Sequence, residues 1–156
     1  VMEEYGVNSD LINLEITESA SANSKKVLLE NMRELMDYGV NFSLDDFGTG
    51  QSNLDYIADM PVDIVKFDKG MTNAYFESRK TKYIMDAATN MIKGMNLKIV
   101  SEGIETEEQY KVMKEMGINY IQGYYFSKPL PEEEFLEFID RENRAYIAAE
   151  TSSAVR

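Results

Sequence analysis

The sequence predicts an α/β fold in which parallel strands form a sheet and the helices lie outside it. Two observations carry this. Short runs rich in β-branched and aromatic residues alternate regularly with longer stretches whose apolar residues recur at helical spacing, the pattern of repeated βα units. In addition, five of the apolar runs deliver a polar or charged residue at or near their C-terminal ends: Ile12-Asn-Leu-Glu15, Phe42-Ser-Leu-Asp-Asp46, Ile64-Val-Lys-Phe-Asp68, Lys98-Ile-Val-Ser-Glu102 and Tyr120-Ile-Gln122. In parallel sheets, open or closed, ligands sit at the C-terminal ends of the strands.

The elements follow in order. A strand over 11–16 precedes a helix near 24–38, whose stripe includes Val27, Leu28, Leu35 and Met36 and which Gly39 closes as a C-terminal cap. A strand over 40–45 runs into the loop Phe47-Gly-Thr-Gly50, then a short helix around 52–60 that Pro61 stops. A strand over 62–67 leads through a looser stretch to a long helix near 78–94, with Ile84, Ala88, Met91 and Ile92 on one face and Gly94 as its stop. A strand over 97–101 precedes a helix over 106–116, capped by Thr106 with Glu108 nearby and closed by Gly117. The last strand, 118–122, comes before Pro129 and a helix near 131–143, and the pattern weakens from Ala145 to Arg156. Five strands cannot close an eight-stranded barrel of about 250 residues. Either the sheet is open, or it is a barrel whose first strands are missing.

Composition narrows the chemistry. At 156 residues, 44% hydrophobic and 28% charged, the chain is long enough for one globular domain. Asp and Glu number 28 against 16 Lys and Arg, a net charge of −12 that argues against a broad nucleic-acid footprint. There is no cysteine and no histidine, which excludes a thiol nucleophile, an imidazole base, a disulfide framework and zinc-finger spacing. No apolar run approaches the length of a membrane span.

Oxygen ligands without His or Cys select hard divalent ions such as Mg²⁺, Mn²⁺ or Ca²⁺. Glu15, Asp45, Asp46 and Glu102 supply such oxygens from three strands. Adjacent strand residues point to opposite faces, so Asp45 and Asp46 share a site only where the strand breaks, and Gly48 and Gly50 are expected to supply that break. Two metal ions are a known solution to phosphodiester hydrolysis, with Lys66 as the cation that orients water or steadies phosphate charge. Each residue also has an ordinary explanation. Glu15 suits the wet face of an edge strand, the aspartate pair suits a turn, Lys66 suits a surface, and Glu102 with Glu105 suits a helix N-terminus. One shared site accounts for all five strand ends at once.

The motifs Leu14-Glu-Ile-Thr-Glu-Ser19, Leu44-Asp-Asp-Phe-Gly-Thr-Gly50, Val65-Lys-Phe-Asp68, Ser101-Glu-Gly-Ile-Glu-Thr106 and Gln122-Gly-Tyr-Tyr-Phe-Ser-Lys-Pro129 resemble the EAL domain, in the family's order and with compatible spacing over residues 8 to about 138. The resemblance implies a partial TIM (β/α)8 barrel, roughly the last five βα units with the first strands missing. It implies a phosphodiesterase that linearises cyclic di-GMP to pGpG with two Mg²⁺ or Mn²⁺ ions. By position, Glu15, Asp45, Asp46 and Glu102 match metal ligands, with Lys66, Glu102 and Gln122 catalytic. Glu18 and Glu105 match anchors of the loop after the aspartate pair. Gln51 and Asn53 depart from the family's aromatic and small serine, and Lys69-Gly-Met71 from Arg-Ser-Phe. The Glu-Ala-Leu strand and the strand bearing a metal-binding asparagine are not in this sequence. Residues 1–143 are thus expected to be the C-terminal part of the domain and 144–156 a C-terminal tail. The remaining expectations are a cytoplasmic setting, no membrane contact by this segment, no nucleic-acid polymer as partner, a homodimeric parent protein, and an isolated fragment that is inactive and poorly stable or self-associated. The alternative is a catalytically silent cyclic di-GMP receptor controlling a neighbouring domain.

Overall fold

The structure, a computed structural model, describes residues 2–17, 25–48 and 54–153. It divides into two compact units, Val1–Phe126 and Ser127–Arg156. In the first, a short helix α1 (Met2–Tyr5) and a 3-10 turn (Ser9–Leu11) lead into β1 (Asn13–Thr17), α2 (Lys25–Asp37), β2 (Asn41–Phe47), α3 (Leu54–Asp59) and β3 (Ile64–Phe67). Two consecutive helices follow, α4 (Lys69–Glu77) and α5 (Arg79–Gly94), then β4 (Lys98–Ser101), α6 (Glu107–Glu115) and β5 (Tyr120–Ile121). The second unit holds α7 (Glu132–Ser153).

All strand pairings are parallel and the order is β1-β2-β3-β4-β5. A doubly wound sheet reverses its strand order at a switch point. This one never reverses, so crossovers of one hand place every connecting helix on the same side. That is the winding of a (β/α)8 barrel, and it decides between the open and the barrel-like alternatives.

The helix side of the sheet is the core. Phe42, Leu44, Val65, Phe67 and Ile99 are buried there in one cluster with Met32 of α2, Met85 and Ile92 of α5, and Met113 of α6. Because side chains alternate along a strand, the residues between them face the other way. At the start of the strands that opposite face forms a polar cleft of about 510 Å³, lined in part by Asn13, Ile64, Lys98 and Tyr120. Two residues further along β1 and β3, on the same face, stand Glu15 and Lys66.

Three elements differ from the sequence reading. The looser stretch after β3 is helix α4, started by Asp68, whose carboxylate accepts from the Met71 N–H at 2.9 Å. Helix α5 includes Gly94, and the left-handed turn that follows falls on Asn96 at φ +61°. Helix α7 runs on through Ala145 to Ser153, past the end expected near 143, and Tyr146 and Ile147 continue the apolar spacing of Phe135, Leu136 and Ile139. Thr106 caps α6 as expected, but the reciprocal partner in its capping box is Gln109 rather than Glu108.

Candidate active site

Lys66 lies on β3 between Val65 and Phe67, which are both fully buried on the core side. Its own side chain therefore emerges on the opposite face, and it is only 10% exposed. Its ammonium meets three carboxylates from three different strands or strand ends: Glu15 Oε1 at 2.6 Å, Asp45 Oδ1 at 3.0 Å and Glu102 Oε1 at 2.8 Å. An ammonium has three protons, and here each finds an acceptor. Burial alone pulls the Lys66 pKa down, but the hydrogen bonds to Glu102, Glu15 and Asp45 outweigh it and hold the group above its ordinary range. Lys66 thus stands among the carboxylates as a hydrogen-bond donor to all three.

The aspartate pair depends on an irregularity in β2. Leu44 pairs with Val65 and Phe47 with Phe67, so β2 takes three steps where β3 takes two. The extra residue is a bulge. Without it Asp46 would follow Leu44 into the core; with it Phe47 takes that place, its ring 5.8 Å from Phe67, and Asp46 is exposed at φ +59°. The strand break expected at the glycines thus begins two residues earlier, inside the pair, and Gly48 at φ +104° continues it. Aspartate is one of the few side chains that tolerates this left-handed conformation.

Glu102 follows β4 directly, its N–H donating to Phe67 O at 3.0 Å. Glu105, three residues on, pairs with Lys69 at 2.6 Å. Gln122 is exposed just after β5, with its N–H on Ser101 O at 2.9 Å and its carbonyl accepting from Ile104 N–H at 3.1 Å. Glu18 lies outside the described residues, as do Thr49 to Asn53 of the loop it was expected to hold. Sequence reasoning passed over Ser101 and Thr72, whose buried hydroxyls meet at 3.0 Å immediately before Glu102. Small hydroxyl residues in apolar runs were the only signal.

The family profile described as the EAL domain matches residues 1–129. The chain belongs to the EAL domain family. Among relatives of this EAL chain, the cyclic di-GMP phosphodiesterase NbdA of Pseudomonas aeruginosa is 37% identical over 148 residues, covering 93% of this chain and 18% of NbdA. The solved phosphodiesterase MucR of P. aeruginosa, in complex with cyclic di-GMP, is 33% identical with a TM-score of 0.78, over 86% of this chain and 54% of that one. BlrP1 of Klebsiella pneumoniae, solved as a manganese and cyclic di-GMP complex, is 25% identical with a TM-score of 0.75, over 82% of this chain and 33% of that one. The EAL chain thus spans about half or less of these proteins' own lengths. The partial TIM barrel implied by the sequence is borne out by the fold and by these neighbours.

The donors fit a hard divalent cation in kind. Three carboxylates converge on one cationic nitrogen and leave two negative charges in excess around it. Among the described residues no group of three or more acidic side chains is arranged to hold a metal ion, and Glu15, Asp45 and Glu102 are each paired with the Lys66 ammonium. Also among the described residues, no helix is long and apolar enough to cross a membrane.

Proposed function

We propose that this domain belongs to a phosphodiesterase that hydrolyses cyclic di-GMP to linear pGpG with bound Mg²⁺ or Mn²⁺. The observation that carries it is the Lys66 cluster: one fixed cation and three carboxylates, gathered from β1, β2 and the end of β4 at the C-terminal edge of the sheet. Family membership supplies the substrate class, since relatives are named for this activity and solved neighbours bind this dinucleotide. In the reaction, water adds to phosphorus at one of the two phosphodiester links; the bond to the 3′ oxygen breaks, leaving a 3′-hydroxyl and a 5′-phosphate. A divalent cation held by Glu15, Asp45, Asp46 and Glu102 would lower the pKa of a bound water and draw off phosphate charge. Lys66 donates hydrogen bonds from a position already ordered by its three partners, so it can steady charge developing on the phosphate without reorganising. Gln122, at the mouth of the neighbouring strand, suits hydrogen bonding to the attacking water. A cytoplasmic setting follows from the substrate, and the parent is proposed to work as a homodimer.

The full-length protein, supplied with Mg²⁺, is expected to convert cyclic di-GMP to pGpG on chromatography of the products, with Glu15→Gln and Lys66→Ala each abolishing turnover. Activity persisting in both variants would overturn this assignment. Saturable binding without turnover by the unaltered protein would instead favour the silent-receptor alternative.

A further inference from the structure

The segment Glu102–Glu105, directly after β4, is irregular, yet it carries one of the three carboxylates on Lys66. Its backbone is tied to the neighbouring strands through Glu102 N–H on Phe67 O and Ile104 N–H on Gln122 O, and a second set of holds, on side chains, comes from α4. Ser101, just before Glu102, shares a buried hydrogen bond with Thr72 Oγ1. Gly103, just after it, has φ +75°, and a Cβ built there would fall 2.4 Å from Lys69 Cγ. The aliphatic stem of Lys69 therefore lies directly over the Gly103 backbone, in space that any side chain at 103 would need. Beyond it the Lys69 ammonium reaches Glu105 Oε1 at 2.6 Å. Lys69 and Thr72 are three residues apart on one face of α4, so a single helical turn grips the segment on both sides of Glu102. That turn also follows directly from β3, the strand that presents Lys66. The same stretch of chain thus supplies the cation and braces a carboxylate that answers it.

We propose that Lys69 is a positioning residue for the carboxylate cluster: by covering Gly103 and holding Glu105 it clamps the segment that carries Glu102 against the start of α4. The inference rests on the active-site reading above and adds to it a residue outside the set assigned there. Lys69 meets Gly103 and Glu105 rather than Glu102 itself, so it acts on Glu102 through the segment that the two flanking residues share. The Lys69–Glu105 pair faces water, with side chains 55% and 47% exposed. Its removal therefore belongs at the weak end of what the loss of an outer partner does to a metal site.

The test measures Mn²⁺ affinity by electron paramagnetic resonance titration, kcat and KM for cyclic di-GMP, and Tm, in the full-length protein and its Lys69→Met, Lys69→Arg and Glu102→Gln variants. Lys69→Met is expected to weaken Mn²⁺ binding and lower kcat about tenfold with KM little changed. Tm should stay near that of the unaltered protein, and Lys69→Arg should restore both quantities. Unaltered Mn²⁺ affinity and kcat in Lys69→Met, alongside losses in Glu102→Gln, would overturn the inference and leave the active-site reading standing. No effect in either variant would overturn both. A loss in Lys69→Met that comes with a large fall in Tm and is not restored by arginine would mean a merely structural role, which also overturns it.

Discussion

At the scale of single residues, Asp46 separates two demands that usually coincide. Its backbone sits at φ +59°, where an L side chain crowds the following carbonyl, while its carboxylate belongs to the pair proposed to bind metal. Asp46→Gly relieves the backbone and Asp46→Ala does not, yet both remove the carboxylate. The alanine variant is therefore expected to be about 1 kcal/mol less stable than the glycine variant in urea denaturation. Both should be equally depleted in turnover. Equal stabilities would show that the bulge relaxes around alanine, and full activity in the glycine variant would remove Asp46 from the proposed ligand set. The wider cluster follows the same logic of place rather than type. Lys66 could have been one more surface lysine by composition; what distinguishes it is burial to 10% exposure with three acceptors around three protons.

Among the elements, α4 has the most to explain, because a whole helix stands where the sequence reading had a looser stretch. Its buried face is Thr72 and Tyr75, and it contains Gly70 and Asn73, so neither apolar period nor helix propensity marks it. The one local signal is Asp68 as an N-cap, a residue that reads equally well as a strand-end carboxylate. Asp68→Ala should cost about 1 kcal/mol. Hydrogen exchange should quicken across 69–77 and in the braced segment 101–105, while α6, with its own Thr106–Gln109 capping box, stays protected. Exchange confined to α4 would argue against mechanical linkage between the two segments. The strands were legible for the opposite reason: buried β-branched and aromatic runs such as Ile64–Phe67 have few alternatives to a parallel core strand. The bulge was legible only in part: the core spacing widens from two residues (Phe42, Leu44) to three (Leu44, Phe47), which marks an irregularity, but only the pairing separates a bulge from the strand end expected at the glycines. The strand-end residues announced a common site, but which carboxylates meet Lys66 depends on sheet curvature and register, which no local pattern encodes.

For the whole molecule, two tendencies oppose each other. Strand β1 is paired on one side by β2 at the end of the described sheet, and a strand edge is a template for further pairing. Within the second unit, α7 exposes Phe135, Leu136, Ile139, Tyr146 and Ile147 along its length, an apolar surface that favours association. Against both stands a net charge of −12 on 156 residues, which makes any two copies repel. Repulsion of this kind acts over the Debye length, about 10 Å at 0.1 M salt and about 3 Å at 1 M, whereas pairing of strand edges and burial of apolar surface act at contact. Salt should therefore tip the balance. Charge repulsion thus confines the self-association expected of the isolated chain to higher salt: it should sediment mainly as monomer in dilute buffer and shift to larger species as sodium chloride is raised. The shift should deepen with protein concentration and reverse on dilution. If charge pairing between copies drove assembly instead, added salt would dissolve it. A monomer at every salt and protein concentration would mean that neither the β1 edge nor the α7 face is open to a partner, so sedimentation velocity across a salt series decides the matter.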